Sequence, residues 1–97
     1  MKCIMVLDPG VSGAVAFYYP EKREGISVYD VPVVGKEINA SALFDLIHQY
    51  APDLAVVESV HAMPRQGVSI SFNFGVSYGV AKGVIGSLHI PVVFVTP

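Results

Sequence analysis

Runs and alternations of apolar residues predict three strands in the first third of the chain. Residues 2–8 form an almost unbroken apolar run that ends in Asp8-Pro9-Gly10, which is typical of a buried strand followed by a turn. The next apolar segment, 13–19, follows after only four residues, so we predict that it returns antiparallel as a hairpin. After an exposed, charged turn at 20–25, residues 26–31 alternate between apolar and polar positions and predict a third strand.

The middle of the chain predicts a loop, a helix and a further strand. Residues 33–38 are expected to form a loop. Asn39 and Ser41 are both suitable N-caps for a helix that ends at Tyr50, within which apolar residues recur at helical spacing. Residues 54–58 form a short apolar run, and the strand–helix–strand order favours a parallel partner inside the sheet.

The periodicity of residues 68–87 fits both a strand and a helix. Even positions from 68 to 80 are apolar, as in a strand, whereas glycines recur from Gly75 onwards at intervals of four, four and three residues, as on one side of a helix. Each glycine costs a helix ~1 kcal/mol relative to alanine, but twenty residues far exceed the usual strand of ~5–6. A crossover is also required if the last predicted strand, 92–95, is parallel. We therefore predict a helix and the order βββαβαβ.

Composition restricts the class of protein. The 97 residues are 53% hydrophobic and 14% charged, which fits one globular domain and excludes a disordered chain. The net charge of −2 argues against a wholly basic nucleic-acid coat protein, although a local basic patch remains compatible with it. No apolar stretch approaches the ~20 residues of a membrane span. The single cysteine, Cys3, excludes an internal disulfide and fits a core residue in a reducing cytoplasm.

Two acidic residues end predicted strands. Ligands of open α/β sheets bind outside the carboxyl ends of parallel strands, where Asp8 and Glu58 are predicted to lie. If the strands are neighbours, ~4.8 Å apart, alternation places both carboxylates on one face, where they repel each other unless a divalent cation neutralises them. Oxygen ligands of this kind suit Mg²⁺, or Mn²⁺ as its substitute. The alternative is that Asp8 caps its turn and Glu58 is a strand-end charge. The spacing of the two acids alone does not distinguish this interpretation from a metal site.

The turn after the first strand and the long helix add weaker candidates. Residues 8–13 form a glycine-rich turn whose backbone N–H groups suit a phosphate, but a hairpin turn needs the same residues. Ser12 in this turn and Lys82 on the long helix are candidate nucleic-acid contacts, while a solvated lysine is the alternative for Lys82. Asp30 is interpreted as a polar strand end rather than a ligand.

The loop that follows Glu58 concentrates groups suited to nucleic acid. Arg65 can clamp a phosphate and Gln66 can position or read a strand. His61 or Met63 can wedge against a base. An ordinary exposed loop is the alternative interpretation.

Four blocks of sequence, taken together, resemble the RuvC-like Holliday junction resolvases, most closely the phage and prophage type of crossover-junction endodeoxyribonuclease. They are residues 4–17 (IMVLDPGVSGAVAF), 52–58 (PDLAVVE), 60–67 (VHAMPRQG) and 72–79 (FNFGVSYG). The resemblance covers essentially all of the chain. It implies an α/β, RNase H-like fold with a mixed five-stranded sheet, in which three antiparallel strands precede helix, strand, helix and strand. It also favours the helix over residues 68–87.

The resemblance further implies a metal-dependent active site. The family uses four carboxylates that bind two Mg²⁺ ions ~4 Å apart, one activating water and the other stabilising the leaving oxygen. Asp8 matches the family's first-strand aspartate and Glu58 its fourth-strand glutamate, so both are expected to be catalytic residues and metal ligands. The family's other two acids lie on a helix beyond the fifth strand. We therefore expect residues 1–97 to be a single core domain, incomplete at its C-terminus and inactive or nearly so by itself.

Family members act as dimers on branched, four-way DNA, and the long helix contributes to pairing. The glycine stripe that starts at Gly75 would allow close approach of two helices, which predicts a homodimer; the alternative is that the stripe packs on its own sheet. The expected function is that of the N-terminal core of a Mg²⁺-dependent, structure-selective endonuclease. The alternatives are a non-catalytic RNase H-like module that binds DNA or protein, and a fragment of an actin/hexokinase-type ATPase lobe, whose Asp-x-Gly turn is similar.

Overall fold

The computed structural model of the chain describes residues 3–22, 25–59 and 68–96. Seven strands and two helices lie within these ranges: β1 (Ile4–Leu7), β2 (Ala14–Tyr18), β3 (Ile26–Asp30), β4 (Val33–Val34), β5 (Glu37–Ile38), α1 (Ala40–Tyr50), β6 (Leu54–Glu58), α2 (Val68–Ser87) and β7 (Val92–Val95). Among the described residues, neither helix combines the length and the apolar character needed to cross a membrane.

Five of the strands form one mixed sheet in the order β3-β2-β1-β6-β7. The first three strands pair antiparallel, while β6 pairs parallel with both β1 and β7. In this register Leu7 lies opposite Val57, and Glu58 lies opposite Val95. The predicted mixed sheet, its opening hairpin and the parallel placement of residues 54–58 are confirmed.

Residues 33–38 form a hairpin, so the prediction of a loop was wrong. The strands β4 and β5 pair antiparallel, with Val33 opposite Ile38. Gly35, in the turn between them, has φ +60°, a left-handed conformation that glycine adopts without a steric penalty. Two-residue strands are too short to show the alternation by which strands are predicted.

The two predicted helices are confirmed. At the start of α1 the Asn39 side-chain oxygen accepts the Ala42 N–H at 3.1 Å, so Asn39 is the N-cap. Ser41 lies within the first turn and donates to that same oxygen at 3.0 Å. The helix ends at Tyr50, and its C-cap, Ala51, is left-handed (φ 46°) and donates its N–H to the Ile47 carbonyl. The ambiguous segment 68–87 is the helix α2.

Both helices cover the same face of the sheet. A single buried cluster joins alternate strand residues to residues of α1 and α2: Met5, Leu7, Val15, Phe17, Ala55 and Val57 from the strands, and Leu43, Ile47, Ala81 and Ile85 from the helices. Phe17 stacks on Tyr50 of α1, with ring centroids 4.1 Å apart, and Phe94 of β7 contacts Tyr78 of α2. We call this side of the sheet the covered face.

The strand residues that point the other way form the open face. Since successive residues of a strand alternate between faces, its members are the even residues of β1, β2, β3 and β6 and the odd residues of β7. Many are large, apolar and exposed: Val6, Tyr18, Ile26, Val28, Val93 and Val95. The helices leave this face uncovered over the described residues.

Candidate functional site

The parallel pairing of β1 and β6 brings Asp8 and Glu58 to one edge of the sheet. Asp8 directly follows β1 and Glu58 is the last residue of β6. Since Leu7 lies opposite Val57, the two acids occupy equivalent positions on neighbouring strands, which are ~4.8 Å apart in sheets. Alternation places both on the open face, where Asp8 is exposed and Glu58 is half-buried.

A tight turn holds the Asp8 backbone in place. The Asp8 N–H donates to the Ala14 carbonyl, and the Gly13 N–H donates to the Gly10 carbonyl, both at 3.0 Å. A Cβ atom at Gly13 would lie 2.2 Å from the Asp8 carbonyl oxygen, so only glycine fits there. The Asp8 Oδ1 atom accepts the Gly10 N–H at 3.4 Å, which is long for a hydrogen bond. The turn-capping role considered for Asp8 is therefore present as a weak contact.

A third acid, Asp30, lies further along the same edge. It ends β3 and faces Ala14 in the β2–β3 register, two strands away from Asp8 and on the same face. Neighbouring strands are ~4.8 Å apart, so Asp30 lies ~10 Å from Asp8. This distance is too long for both carboxylates to bind the same ion. Within residues 3–22, 25–59 and 68–96, no group of three or more His, Cys, Asp or Glu side chains could hold a metal ion. The described site therefore consists of two adjacent carboxylates.

A cavity of about 370 Å³ lies beside Asp8, between the turn and α2. The turn contributes residues 10–13, including the exposed Ser12, and α2 contributes Asn73, Phe74 and Ser77. Sequence reasoning did not select these three helix residues individually. The available signal was the block 72–79, together with the helical spacing of four that places positions 73 and 77 on one side of α2.

Lys82 is not simply solvated. Its Nζ atom lies 5.1 Å from the centroid of the Tyr78 ring and 5.6 Å from that of Phe94, within the range of cation–π attraction. It does not line the cavity beside Asp8. Lys82 therefore contacts two rings at the β7 side of the molecule, and its proposed contact with nucleic acid stays a prediction.

The candidates His61, Met63, Arg65 and Gln66 lie outside the described residues, and their roles stay predictions.

The glycine stripe of α2 faces away from the sheet. All its members are exposed, and among the described residues a Cβ added to any of them would meet no atom within 4 Å beyond the helix's own backbone: Gly75, Gly79, Gly83 and Gly86. The alternative in which the stripe packs on its own sheet was therefore wrong. The described chain leaves this side of α2 open to a close neighbour.

Three groups on the covered face have shifted pKa values. Burial raises the pKa of the Cys3 thiol, which is 2% exposed. The Tyr29 and Tyr50 hydroxyls are hydrogen-bonded to each other, which raises the pKa of Tyr29 and lowers that of Tyr50. The buried thiol is thus held as a neutral core group, as its position in an apolar run predicts.

Comparison with known proteins rests on solved structures. No family model matches the sequence, and a search of curated proteins found no match. The fold is similar to RuvC of Thermus thermophilus in complex with a Holliday junction substrate (TM-score 0.74, 16% identity, 100% of this chain and 66% of that one). It is also similar to the Fowlpox virus resolvase in complex with Holliday junction DNA (TM-score 0.58, 20% identity, 97% of this chain and 61% of that one). A third similar structure is Ydc2, the yeast mitochondrial Holliday junction resolvase (TM-score 0.54, 13% identity, 99% of this chain and 53% of that one).

These similarities confirm the predicted fold class. The mixed five-stranded sheet with its helices is the RNase H-like fold of RuvC-type resolvases. At identities of 13% to 20% the likeness concerns the fold alone. The chain spans 66% of the length of the Thermus thermophilus protein and 53% of the yeast protein.

Proposed function

We propose that this chain is the N-terminal core of a Mg²⁺-dependent, structure-selective endonuclease that resolves four-way DNA junctions. One observation carries the proposal: Asp8 and Glu58 occupy equivalent positions at the carboxyl edge of neighbouring parallel strands. Ligand sites of open α/β sheets lie at such edges. The fold is shared with solved Holliday junction resolvases, two of them in complex with junction DNA.

Asp8 and Glu58 fit a divalent metal in part. Mg²⁺ prefers carboxylate oxygens and is usually bound by one or two carboxylates together with water and substrate phosphates. The two acids supply that number, and Asp8 is exposed to a substrate. A bound Mg²⁺ would supply an activated water and stabilise charge on the leaving oxygen. The two carboxylates would act as its ligands.

We propose that a segment outside these 97 residues completes the site. Parallel sheets are normally covered on both faces, yet in the parallel part of this sheet Val93 of β7 is 48% exposed on the open face. A helix that follows β7 and packs on this face would cover the apolar residues. It would also carry further acids to Asp8 and Glu58. By this proposal the chain is a single RNase H-like core domain with little activity of its own.

The remaining assignments follow from the same proposal. Branched DNA is contacted by Ser12, by Lys82 and by the candidates of the loop after Glu58. Two copies of the protein pair through the exposed glycine stripe and cut opposed strands. The buried free cysteine, Cys3, suits a reducing cytoplasm. Within the family, the proposed type is the phage and prophage crossover-junction endodeoxyribonuclease.

The central experiment is cleavage of a four-way junction by the full-length protein. Asp8→Asn keeps the size of the side chain but removes its charge, so we expect at least a ~100-fold loss of cleavage, with junction binding retained. Asp45→Asn is the matched control, because Asp45 is an exposed acid of α1. Cleavage by Asp8→Asn at the rate of the control would contradict the assignment.

Junction binding, junction cleavage and thermal shifts separate the alternatives. The absence of a third nearby acid among the described residues also favours a non-catalytic module. Such a module would bind the junction without Mg²⁺ and would not cut it, even as the full-length protein. An ATPase lobe would show a thermal shift with Mg-ATP and none with Mn²⁺ alone. Efficient resolution of junctions by residues 1–97 alone would contradict the proposed incompleteness.

A further inference from the structure

The β4–β5 hairpin lies at the same edge of the sheet as the two carboxylates. Since β2 is antiparallel to both β1 and β3, β3 runs in the direction of β1 and ends at Asp30 on the edge where Asp8 follows β1. Residues 31–39, which contain the hairpin, connect this edge to α1, and α1 then leads to the opposite end of the sheet, where β6 starts. A substrate that approaches Asp8 and Glu58 therefore approaches the hairpin as well.

Both ends of the hairpin are fixed to the rest of the fold. The Val31 N–H donates to the Gly13 carbonyl at 3.1 Å, which joins the base of the hairpin to the turn that follows β1. The Asn39 N–H donates to the Pro32 carbonyl at 2.9 Å and closes the hairpin on its other side. Val31 and Ile38 are 3% and 5% exposed, and β5 packs against α2. The hairpin is therefore an anchored arm beside the carboxylates.

The tip of the hairpin carries an exposed lysine. Val34 pairs with Glu37, so the turn consists of Gly35 and Lys36. Gly35 has φ +60°, and two-residue hairpin turns select glycine for such a conformation. Lys36 is exposed, and the neighbouring Val33 and Val34 are 45% and 62% exposed. The tip thus presents a cation next to apolar surface.

The position of Lys36 differs from that of the other lysines in the part of the chain that the structure describes. Lys22 follows β2, which runs away from the carboxyl edge, so it lies at the opposite end of the sheet. Lys82 contacts two aromatic rings at the β7 side. Lys36 is joined through its hairpin to the turn beside Asp8. Lysines neutralise DNA phosphates, and such contacts position the duplex without reading its sequence.

We propose that the β4–β5 hairpin is a DNA-binding arm, in which Lys36 binds one phosphate in an arm of the four-way junction and the exposed valines contact the sugars beside it. The proposal rests on the proposed function and adds a contact that is independent of base sequence. Because the hairpin is hydrogen-bonded to Gly13, a duplex held at its tip is also held at a fixed position relative to Asp8.

The first measurement is the salt dependence of junction binding by the full-length protein, with Ca²⁺ in place of Mg²⁺. Lys36→Gln removes the charge, so we expect binding to weaken about 3- to 10-fold at low salt and the slope of log K against log salt to fall by about one. Lys36→Arg keeps the charge and should restore most of the affinity. The loss should be the same for junctions of different sequence, because a phosphate contact carries no sequence information.

Two variants control for the general effect of charge. Lys22→Gln removes an equal charge from the opposite end of the sheet and should change binding less than about twofold, since salt screens distant charges. Glu37→Gln removes the acid next to Lys36 and should tighten binding, which is the opposite sign. All three residues are exposed, so the melting temperatures should stay within about 4 °C of the wild type.

Neutral phosphates locate the contact on the DNA. Methylphosphonates are placed one at a time along an arm of the junction, and one position should weaken wild-type binding about as much as Lys36→Gln does. In the Lys36→Gln variant the same methylphosphonate should change binding less than about 1.5-fold, because the ion pair is already broken.

The outcomes distinguish this proposal from the one on which it rests. If the wild type binds a four-way junction no better than a linear duplex, both are overturned. If the wild type binds and cuts junctions but Lys36→Gln behaves like Lys22→Gln, only the DNA-binding arm is overturned. Effects of Lys36→Gln that add fully to those of every methylphosphonate would likewise overturn it.

Discussion

The two faces of the sheet differ in what they do for the protein. On the covered face, the strands and both helices form one buried cluster in which Phe17 and Leu7 are fully inaccessible. On the open face, residues of the same apolar type are exposed, with Ile26 at 61% and Val28 at 64%. The edge of the open face also carries Asp8 and Glu58. Side chains one position apart on a strand therefore have opposite environments.

The residues that stabilise the fold and the residues available for chemistry therefore lie on different faces of the sheet. Burial of an apolar side chain stabilises a fold by ~1.5–3 kcal/mol, so in this chain the covered face supplies the free energy of folding. The open face contributes little to that free energy, which leaves its acids accessible to substrate. A segment that covers the open face would change this balance without changing the covered one.

The largest expected effect contrasts one residue from each face. Phe17→Ala removes a buried ring that stacks on Tyr50, and we expect it to lower the free energy of unfolding by ~3–5 kcal/mol. Val28→Ala removes an exposed side chain, and we expect a loss below ~0.5 kcal/mol. Urea unfolding followed by circular dichroism measures both. Comparable losses would show that the open face is covered in solution.

The next effect concerns the turn that positions the carboxylate. Gly13→Ala forces a Cβ against the Asp8 carbonyl, and overpacking of this kind costs ~1–3 kcal/mol. Gly10→Ala is the matched control, because a Cβ there meets its nearest atom at an ordinary 3.8 Å. Thermal unfolding of the two variants should therefore differ clearly. Equal stability would mean that the turn relaxes freely and does not hold Asp8 in place.

A smaller effect tests how α1 is anchored on the covered face. Asn39→Ala removes the oxygen that accepts the Ala42 N–H, and loss of such a cap costs ~1 kcal/mol. Asn39→Asp retains an acceptor and should restore most of the stability. Both variants are measured by urea unfolding. No difference between alanine and aspartate would show that the cap contributes nothing.

The exposed glycine stripe should respond with the opposite sign. Gly83→Ala places a methyl group in open space and removes a poor helix former, so we expect the monomer to gain up to ~1 kcal/mol. If two α2 helices pair through this stripe, the same substitution should weaken the dimer. Sedimentation across a concentration series measures association, and chemical unfolding measures stability. A mass near that of the monomer at tens of micromolar would contradict the homodimer.

The smallest expected effect is a dependence of stability on alkaline pH. Burial raises the pKa of Cys3 above its unfolded value, so the folded chain holds this proton more tightly. Its contribution is therefore complete below the unfolded pKa of ~8.5 and is lost as pH rises above it. Unfolding of the wild type and Cys3→Ala at pH 7, 8 and 9.5 compares them. A constant difference across this range would contradict the prediction.

Local pattern was sufficient for the long elements. An apolar run is enough to predict the strands 54–58 and 92–95. Helical spacing over several turns predicts the helix that ends at Tyr50. The hairpin at 33–38 was missed because each of its strands has only two residues. The helix at 68–87 was favoured by length and by family resemblance, since its periodicity fits both structures.

The candidate site could be predicted only as far as the pairing of distant strands could be. Asp8 and Glu58 were selected because each ends an apolar run. Their proximity follows from the parallel pairing of β1 with β6. Asn73 and Phe74 were not selected, because only tertiary packing brings the middle of a helix against a turn sixty residues earlier. For the same reason, nothing in the alternation of Val28 reveals that both helices lie on the opposite side of the sheet.

The central position of β1 also determines the order in which the chain can fold. Its antiparallel partner β2 follows within a few residues, but Ile4 meets Leu54 of β6 only after fifty more residues have been made. During synthesis one edge of β1 therefore waits unpaired, and such edges can pair with other chains. Long-range pairing is slow because the intervening loop must close first. We expect the docking of β6 onto β1, rather than the first hairpin, to set the folding rate.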